Sequence, residues 1–477
     1  MIPVIAGMHP DPSVCRVGDD YYLVCSSFEY FPGVPVFHST DLVRWKQIGN
    51  ALDRPSQLAL SAATPSSAGI YAPTLRHHDG RFWLVVTNVS DGGGNVVLTA
   101  TDPAGPWSDP VPLPGVEGID PDLAWDSDGN CWCTVAGVAQ YRVDPATGEA
   151  SGPPTRLWSG TPGSKAPEAP HLYQIGDFWY LLIAEGGTER GHAVSIARSA
   201  APTGPFEPCP DNPVLSHRGT DDPVQNTGHA DLVQAPDGAW WMVFLGVRPG
   251  GGTPGWHVLG RETFLAPVTW VDGWPVVGEI VPGAESLSVE RDEFDSPRLD
   301  PSWISLRDRS EQHCATGETP GWLTLRARGS GMDDPAVVFA GRRQRHLSCA
   351  ARTLVDAADG SGGLVVRLDE DHHYEVEAAA GQVRVLARIG PLHAVVATLA
   401  VPDGPVVLEV RVRPRPPQDS RSGPDVLTFC VETIELASLD GKYLSTEVAG
   451  GFTGRVIGLY AATGTVRFDW FEYDPLG

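Results

Sequence analysis

Four short stretches of this 477-residue chain set an ionisable side chain beside proline or glycine at the head of an apolar run. They are HPDPS with Asp11, GIDPDL with Asp120, PEAPHLY with Glu168 and TGHADLV with His229. Asp11 lies between Pro10 and Pro12; proline fixes its own φ and restricts the residue before it, which removes backbone freedom from the carboxylate. Such fixity suits a group that must meet others across a gap. Where carboxyl groups converge, a neighbouring anion keeps one of them protonated near neutral pH while another stays ionised. One acid and one carboxylate on opposite faces of an acetal cleave a glycosidic bond. Their separation is about 6.5–9.5 Å when configuration is inverted and about 5–5.5 Å when it is retained. Any one acid at a strand start could equally cap a turn or bind a cation. Three in register favour catalysis.

An internal repeat supplies the elements that would bring them together. The stretches DPSVCRVGDDYYLVCSS, APTLRHHDGRFWLVVTN, DPDLAWDSDGNCWCTVAG, EAPHLYQIGDFWYLLIAEGG and HADLVQAPDGAWWMVFLG share one plan. Each opens on a polar or small residue, passes through an apolar residue and a turn, often Asp-Gly, and ends in an aromatic-rich strand. Asp-Gly between apolar runs is a strong hairpin signal. With Tyr22, Trp83, Trp132, Trp179 and Trp241 as markers, the repeat recurs every ~50–60 residues, the length of a four-stranded propeller blade. A five-bladed β-propeller over residues 1–285 is therefore expected. The opening positions of the innermost strands, Asp11, Ala72, Asp120, Glu168 (one residue early) and His229, would share one mouth of the central channel.

Beyond GWPVVGEIVPGAESLSVE the pattern changes to short strands of period-two alternation, among them GWLTLRAR, HHYEVEAAAG, QVRVLARIG and VVLEVRVRP. This predicts an antiparallel, concanavalin-like β-sandwich over 290–477, giving an all-β protein. RPRPPQDSRSGPD reads as an exposed loop, and no acid, base or nucleophile cluster stands out in this half. Its expected roles are to stabilise the first domain and to wall one side of the site.

Composition narrows the function classes. Asp and Glu total 59 against 34 Lys and Arg, a formal charge of −25, which disfavours nucleic acid and anionic membrane surfaces as partners. The 54 glycines, 44 prolines and 15 tryptophans suit a turn-rich β protein, with tryptophans packing a core, facing a sugar, or both. No signal peptide and no membrane-length apolar run is legible, and the eight cysteines read as reduced thiols. A cytoplasmic protein is expected, with its oligomeric state open and a homo-oligomer among the options.

At this level of detail the chain resembles glycoside hydrolase family 43, and within it the β-xylosidase and α-L-arabinofuranosidase branch that carries a C-terminal β-sandwich. The stretches from HPDPS to FEYFPG, GIDPDL, PEAPHLY, TGHADLV and LGRETFL carry the resemblance over nearly the whole chain. The resemblance implies exo-acting hydrolysis with inversion on short xylo- or arabino-oligosaccharides. It implies Asp11 as general base, Glu168 as general acid, and Asp120 as the group that raises the Glu168 pKa and orients it. Arg261 would donate to sugar hydroxyls. Phe28 would abut the sugar or pack the core, and His229 would orient a carboxylate, touch a central water or calcium ion, or be an ordinary buried histidine. Two departures concern the site: Tyr71 stands in IYAPTL where the family often has tryptophan, and Tyr30 makes FEYFPG of FEWFPG. Both keep an aromatic but alter its shape, so xylose and arabinofuranose stay open as substrates. No cofactor is required, and a structural calcium near His229 is the one metal expectation. The competing expectations are an inactive propeller that binds sugar, which would not need all three acids, and a transglycosylase or endo-acting arabinanase on the same scaffold.

Overall fold

The computed structural model describes residues 1–90, 92–284, 286–416 and 421–476. Residues 417–420 of the expected exposed loop lie outside the described residues. Among those described, the first part of the chain folds into five four-stranded antiparallel sheets, each made of consecutive hairpins. Their first strands are Ser13–Val17, Thr74–His78, Asp122–Trp125, Glu168–Ile175 and Gln225–Gln234. Each contacts the first strand of the next sheet, and the fifth contacts the first, so they form a closed ring around a channel. This is a five-bladed propeller. The N-terminal residues complete it by running against blade 5, where the Val4 N–H donates to the Thr263 carbonyl at 2.9 Å and Ile5 bridges Thr263.

The blades hold together because their strands are apolar on both faces. Side chains on a strand alternate between faces, and here each face meets a different neighbour. In strand Phe178–Glu185, Trp179, Leu181 and Ile183 pack toward blade 3 while Tyr180 and Leu182 pack toward blade 5. Cys131 and Cys133 share one face and fill the seam with blade 2. All eight cysteines are free and buried.

From Glu290 onward all the described strands except Ser305–Leu306 join one hydrogen-bonded system of twelve, built on two long strands, Cys349–Arg367 and Val456–Pro475. Two mostly apolar runs, residues 349–355 and 364–366, lie on the first of these. Register shifts at Asp356–Asp359 interrupt its pairing with Val456–Pro475; such bulges bend and twist a strand without ending it. The system encloses one apolar core that includes Leu325, Val366, Phe429 and Phe468.

The two domains are bonded to one another. Tyr30–Phe31 of blade 1 pairs with Ser305–Leu306, and Phe28, Tyr30, Leu306, Phe339 and Tyr460 form a shared apolar cluster. Glu29, fully buried, accepts from Arg367 at 2.7 Å and lies 2.9 Å from Arg307.

Candidate active site

The channel-facing ends of the first strands adopt an unusual backbone. Asp11, Asp120 and His229 have φ of 57°, 55° and 45°, the left-handed region that non-glycine residues occupy at a cost of order 1–3 kcal/mol each. Each precedes by two residues a side chain in the next layer of the channel: Ser13, Asp122 and Asp231. In blade 4 the left-handed residue is Ala169, with φ of 48°. Glu168 therefore stands one position earlier, at a bulge where pairing shifts register between Glu168 and His171. Its offset in the sequence repeat has this structural cause. For Asp11 and Asp120 the following proline further restricts the backbone.

Asp11 is 5% exposed. Its Oδ1 accepts from Arg261 Nη1 at 2.8 Å, and its Oδ2 accepts from Ser26 Oγ at 2.6 Å. His229 Nδ1 lies 3.4 Å from Oδ1. Burial pushes the Asp11 pKa up, but Arg261 and its other partners outweigh burial and hold it below the usual carboxylate value. Burial lowers the His229 pKa to about 4 and that of His192 to about 3, so both imidazoles are neutral near pH 7. At that pH the cation keeping Asp11 ionised is Arg261.

Glu168 has the opposite environment. Burial first, then the charge of Asp11, raises its pKa to about 7, with Arg261 opposing. His192 Nε2 lies 3.7 Å from its Oε1. Asp120 is also raised well above the ordinary value, by burial and then by Glu168 and Asp11; its carboxylate accepts the Ala169 N–H at 3.3 Å. The sequence reading gave Asp120 the task of lifting Glu168. Burial and then Asp11 raise Glu168, and the charges of Glu168 and Asp11 add to burial in raising Asp120, so the two neighbouring carboxyls are both held above their ordinary values.

Arg261 donates to Thr188 Oγ1 at 3.1 Å as well as to Asp11. Its guanidinium carbon lies 5.7 Å from the Phe28 ring and 5.4 Å from that of Phe452, contacts that favour a cation over an aromatic face. Phe28 and Phe452 stack at 6.2 Å, and Tyr71 meets both edge-on. Phe28 is only 1% exposed, because Phe452 and Tyr71 cover it. It backs Arg261 and presents no free face to a sugar. Phe452 belongs to the second domain, anchored where its N–H donates to Ser67 Oγ at 2.8 Å. Beside Arg261 opens a cavity of about 880 Å³, lined by both domains through Thr188, Arg190, Asp222, His257, Glu447 and Phe452.

Ser26, Thr188, His192 and Phe452 escaped the sequence reading. Only a lone aromatic among glycines, AGGFTG, hinted at Phe452. A second ionic layer deeper in the channel escaped it too. Arg76 lies 2.7 Å from Asp122 and 2.9 Å from Asp231, and pairs with His171 Nδ1 at 2.9 Å, while Ser13 Oγ donates to Asp231 at 2.7 Å. With Tyr173 donating to Asp231, this layer links all five blades beneath the carboxylates. Among the described residues no three His, Cys, Asp or Glu side chains are grouped as metal ligands. The groups around His229 are imidazoles and a carboxylate held by Arg261, a donor set short of the oxygens that calcium prefers.

The arrangement offers one carboxylate of lowered pKa, two carboxyls of raised pKa and a buried arginine that also lines the cavity. Known proteins share its framework. The model of glycosyl hydrolases family 43 matches residues 1–275. That of the β-xylosidase C-terminal concanavalin A-like domain matches 291–474. A non-reducing end α-L-arabinofuranosidase of Bacteroides ovatus is 41% identical, with 99% of this chain and 94% of that protein covered. A xylosidase/arabinosidase of Butyrivibrio fibrisolvens is 38% identical, covering 97% and 95%. The crystal structure of a xylan β-1,4-xylosidase from Bacillus halodurans superposes with a TM-score of 0.90 at 30% identity, covering 99% and 100%.

Proposed function

The chain belongs to glycosyl hydrolase family 43, and on that footing we propose that it is an inverting exo-glycosidase removing terminal xylose or arabinofuranose from the non-reducing end of short oligosaccharides. One observation carries the reading: beside a single arginine, Asp11 is held ionised while Glu168 is held protonated to about pH 7. Such a divergence between paired carboxyls is what assigns base and acid. In this account Glu168 donates its proton to the leaving oxygen, and Asp11 takes a proton from the water that attacks the anomeric carbon. Asp120, whose carboxylate accepts the Ala169 N–H, helps to hold the backbone that carries Glu168. Arg261 steadies Asp11 and donates to a hydroxyl of the terminal sugar. The wall that Phe452 contributes favours chain ends over internal bonds.

The relatives named for both pentoses support the substrate class, and the aromatic changes at Tyr30 and Tyr71 leave the choice between them to experiment. Hydrolysis of aryl β-D-xyloside and aryl α-L-arabinofuranoside, with the first-formed anomer followed by proton NMR, tests the proposal. Release of the inverted anomer is expected. Retained configuration, or preference for polymeric xylan or arabinan over short oligomers, would overturn it. No cofactor takes part in these steps, so enzyme dialysed against EDTA should keep its full activity. Loss restored by calcium would show that the channel holds a metal the protein depends on.

A further inference from the structure

A second cavity, of about 250 Å³, lies between the domains and away from the carboxylates. The propeller contributes His9, Trp45, Gln47 and Arg248 to its walls; the sandwich contributes Glu290, Arg342, Arg343 and Arg345. Three of these four arginines have a carboxylate. Arg248 grips Glu262 at 2.6 and 2.9 Å, and Arg342 and Arg345 share Glu290 at 3.3 and 2.8 Å.

Arg343 has none. It is only 4% exposed, and its Nε and Nη2 are buried without a hydrogen-bond partner. Burial lowers its pKa to about 10, which leaves it charged at neutral pH. A buried guanidinium without an anion is costly, because desolvation is repaid only by pairing and hydrogen bonds. Among the described residues, four arginines and one carboxylate, Glu290, line the cavity, in a protein whose net charge is strongly negative. The neighbouring groups offer Arg343 no relief. His9 spends its Nδ1 on the Ala6 carbonyl at 3.0 Å, and burial, then Arg343, keeps its ring neutral.

We infer that this interdomain cavity is a binding site for a small oxyanion, a phosphate or a low-molecular-weight carboxylate, with Arg343 as its principal ligand and Arg345 at its rim. A planar guanidinium fork matches two oxygens of such an anion. The volume admits an anion of that size with a few waters and is too small for an oligosaccharide. Because its walls come from both domains, the anion joins them, and binding stabilises the folded chain by mass action.

The test is thermal unfolding of the full chain in chloride-based buffer, with sodium phosphate or malonate replacing sodium chloride at constant ionic strength. A saturable rise in the midpoint of several degrees with either oxyanion is expected. Arg343→Met should lose that response while keeping wild-type turnover, since Arg343 lies outside the catalytic site. Phosphate and malonate responses together identify the shared carboxylate and phosphate chemistry; a response to one alone identifies the source. No response in the wild type, or an equal response in Arg343→Met, would overturn the site and leave the cavity filled by water. If Arg343→Met fails to fold, isothermal titration of wild-type protein with phosphate decides, and absence of a saturable heat overturns the proposal.

Discussion

Glu168 and Asp11 share an arginine and a channel mouth, yet their protonation diverges, and a pH profile should report that divergence. In the proposed mechanism activity requires Glu168 protonated, so kcat/KM should fall as pH rises through about 7. It requires Asp11 ionised, and because the Asp11 pKa is lowered, the acidic limb should begin below the ordinary carboxylate value. A basic limb several units higher would contradict the assignment of the acid. Asp120→Asn puts a neutral group of the same shape where the structure holds a buried carboxyl of raised pKa. It should therefore leave the basic limb near its wild-type position and reduce the rate by roughly 10-fold or less, by loosening Glu168. A downward shift of that limb in the variant would show instead that an ionised Asp120 raises Glu168. These acids were legible in the sequence because their spacing follows the repeat. That both Asp120 and Glu168 are raised was not, since this depends on their burial and on the charge of Asp11.

At the scale of elements, the propeller was legible because hairpin turns and aromatic strands recur at a blade-length period. The left-handed residues before the inner strands were not, although Pro12 and Pro121 marked two of them. Ala169 takes that conformation in blade 4 with no sequence signal, and this explains why Glu168 falls out of register. The ion pairs between elements were also illegible, because Glu29 lies hundreds of residues from Arg307 and Arg367. Removing one side of a buried pair strands the other charge. Arg367→Met should therefore destabilise the chain by about 3 kcal/mol in urea unfolding, moderated by the remaining Arg307–Glu29 contact. An unchanged midpoint would mean that Glu29 is adequately held by Arg307 alone.

Across the whole molecule, the second domain is part of the first domain's site. Phe452 reaches over the domain boundary to stack on Phe28 and to lie against Arg261, the residue that holds Asp11. The sequence announced a β-sandwich through alternation and turns, but which of its loops would meet the channel mouth is a property of the docked pair. Phe452→Ala should lower kcat/KM by up to about 10-fold, the order of a lost cation–aromatic contact, with the protein still folded. An unaffected rate would confine the sandwich to a stabilising role.

The most direct test of the catalytic account compares Glu168→Ala with wild type on xylobiose and on nitrophenyl β-D-xyloside or α-L-arabinofuranoside. A sugar leaving group needs a proton, assigned here to Glu168 by the proposed mechanism, whereas nitrophenolate leaves with little help. The account predicts a loss of about 10²–10⁴ on the disaccharide and a distinctly smaller loss on the cognate aryl glycoside. Equal losses on both substrates, or a wild type that cleaves none of them, would contradict it.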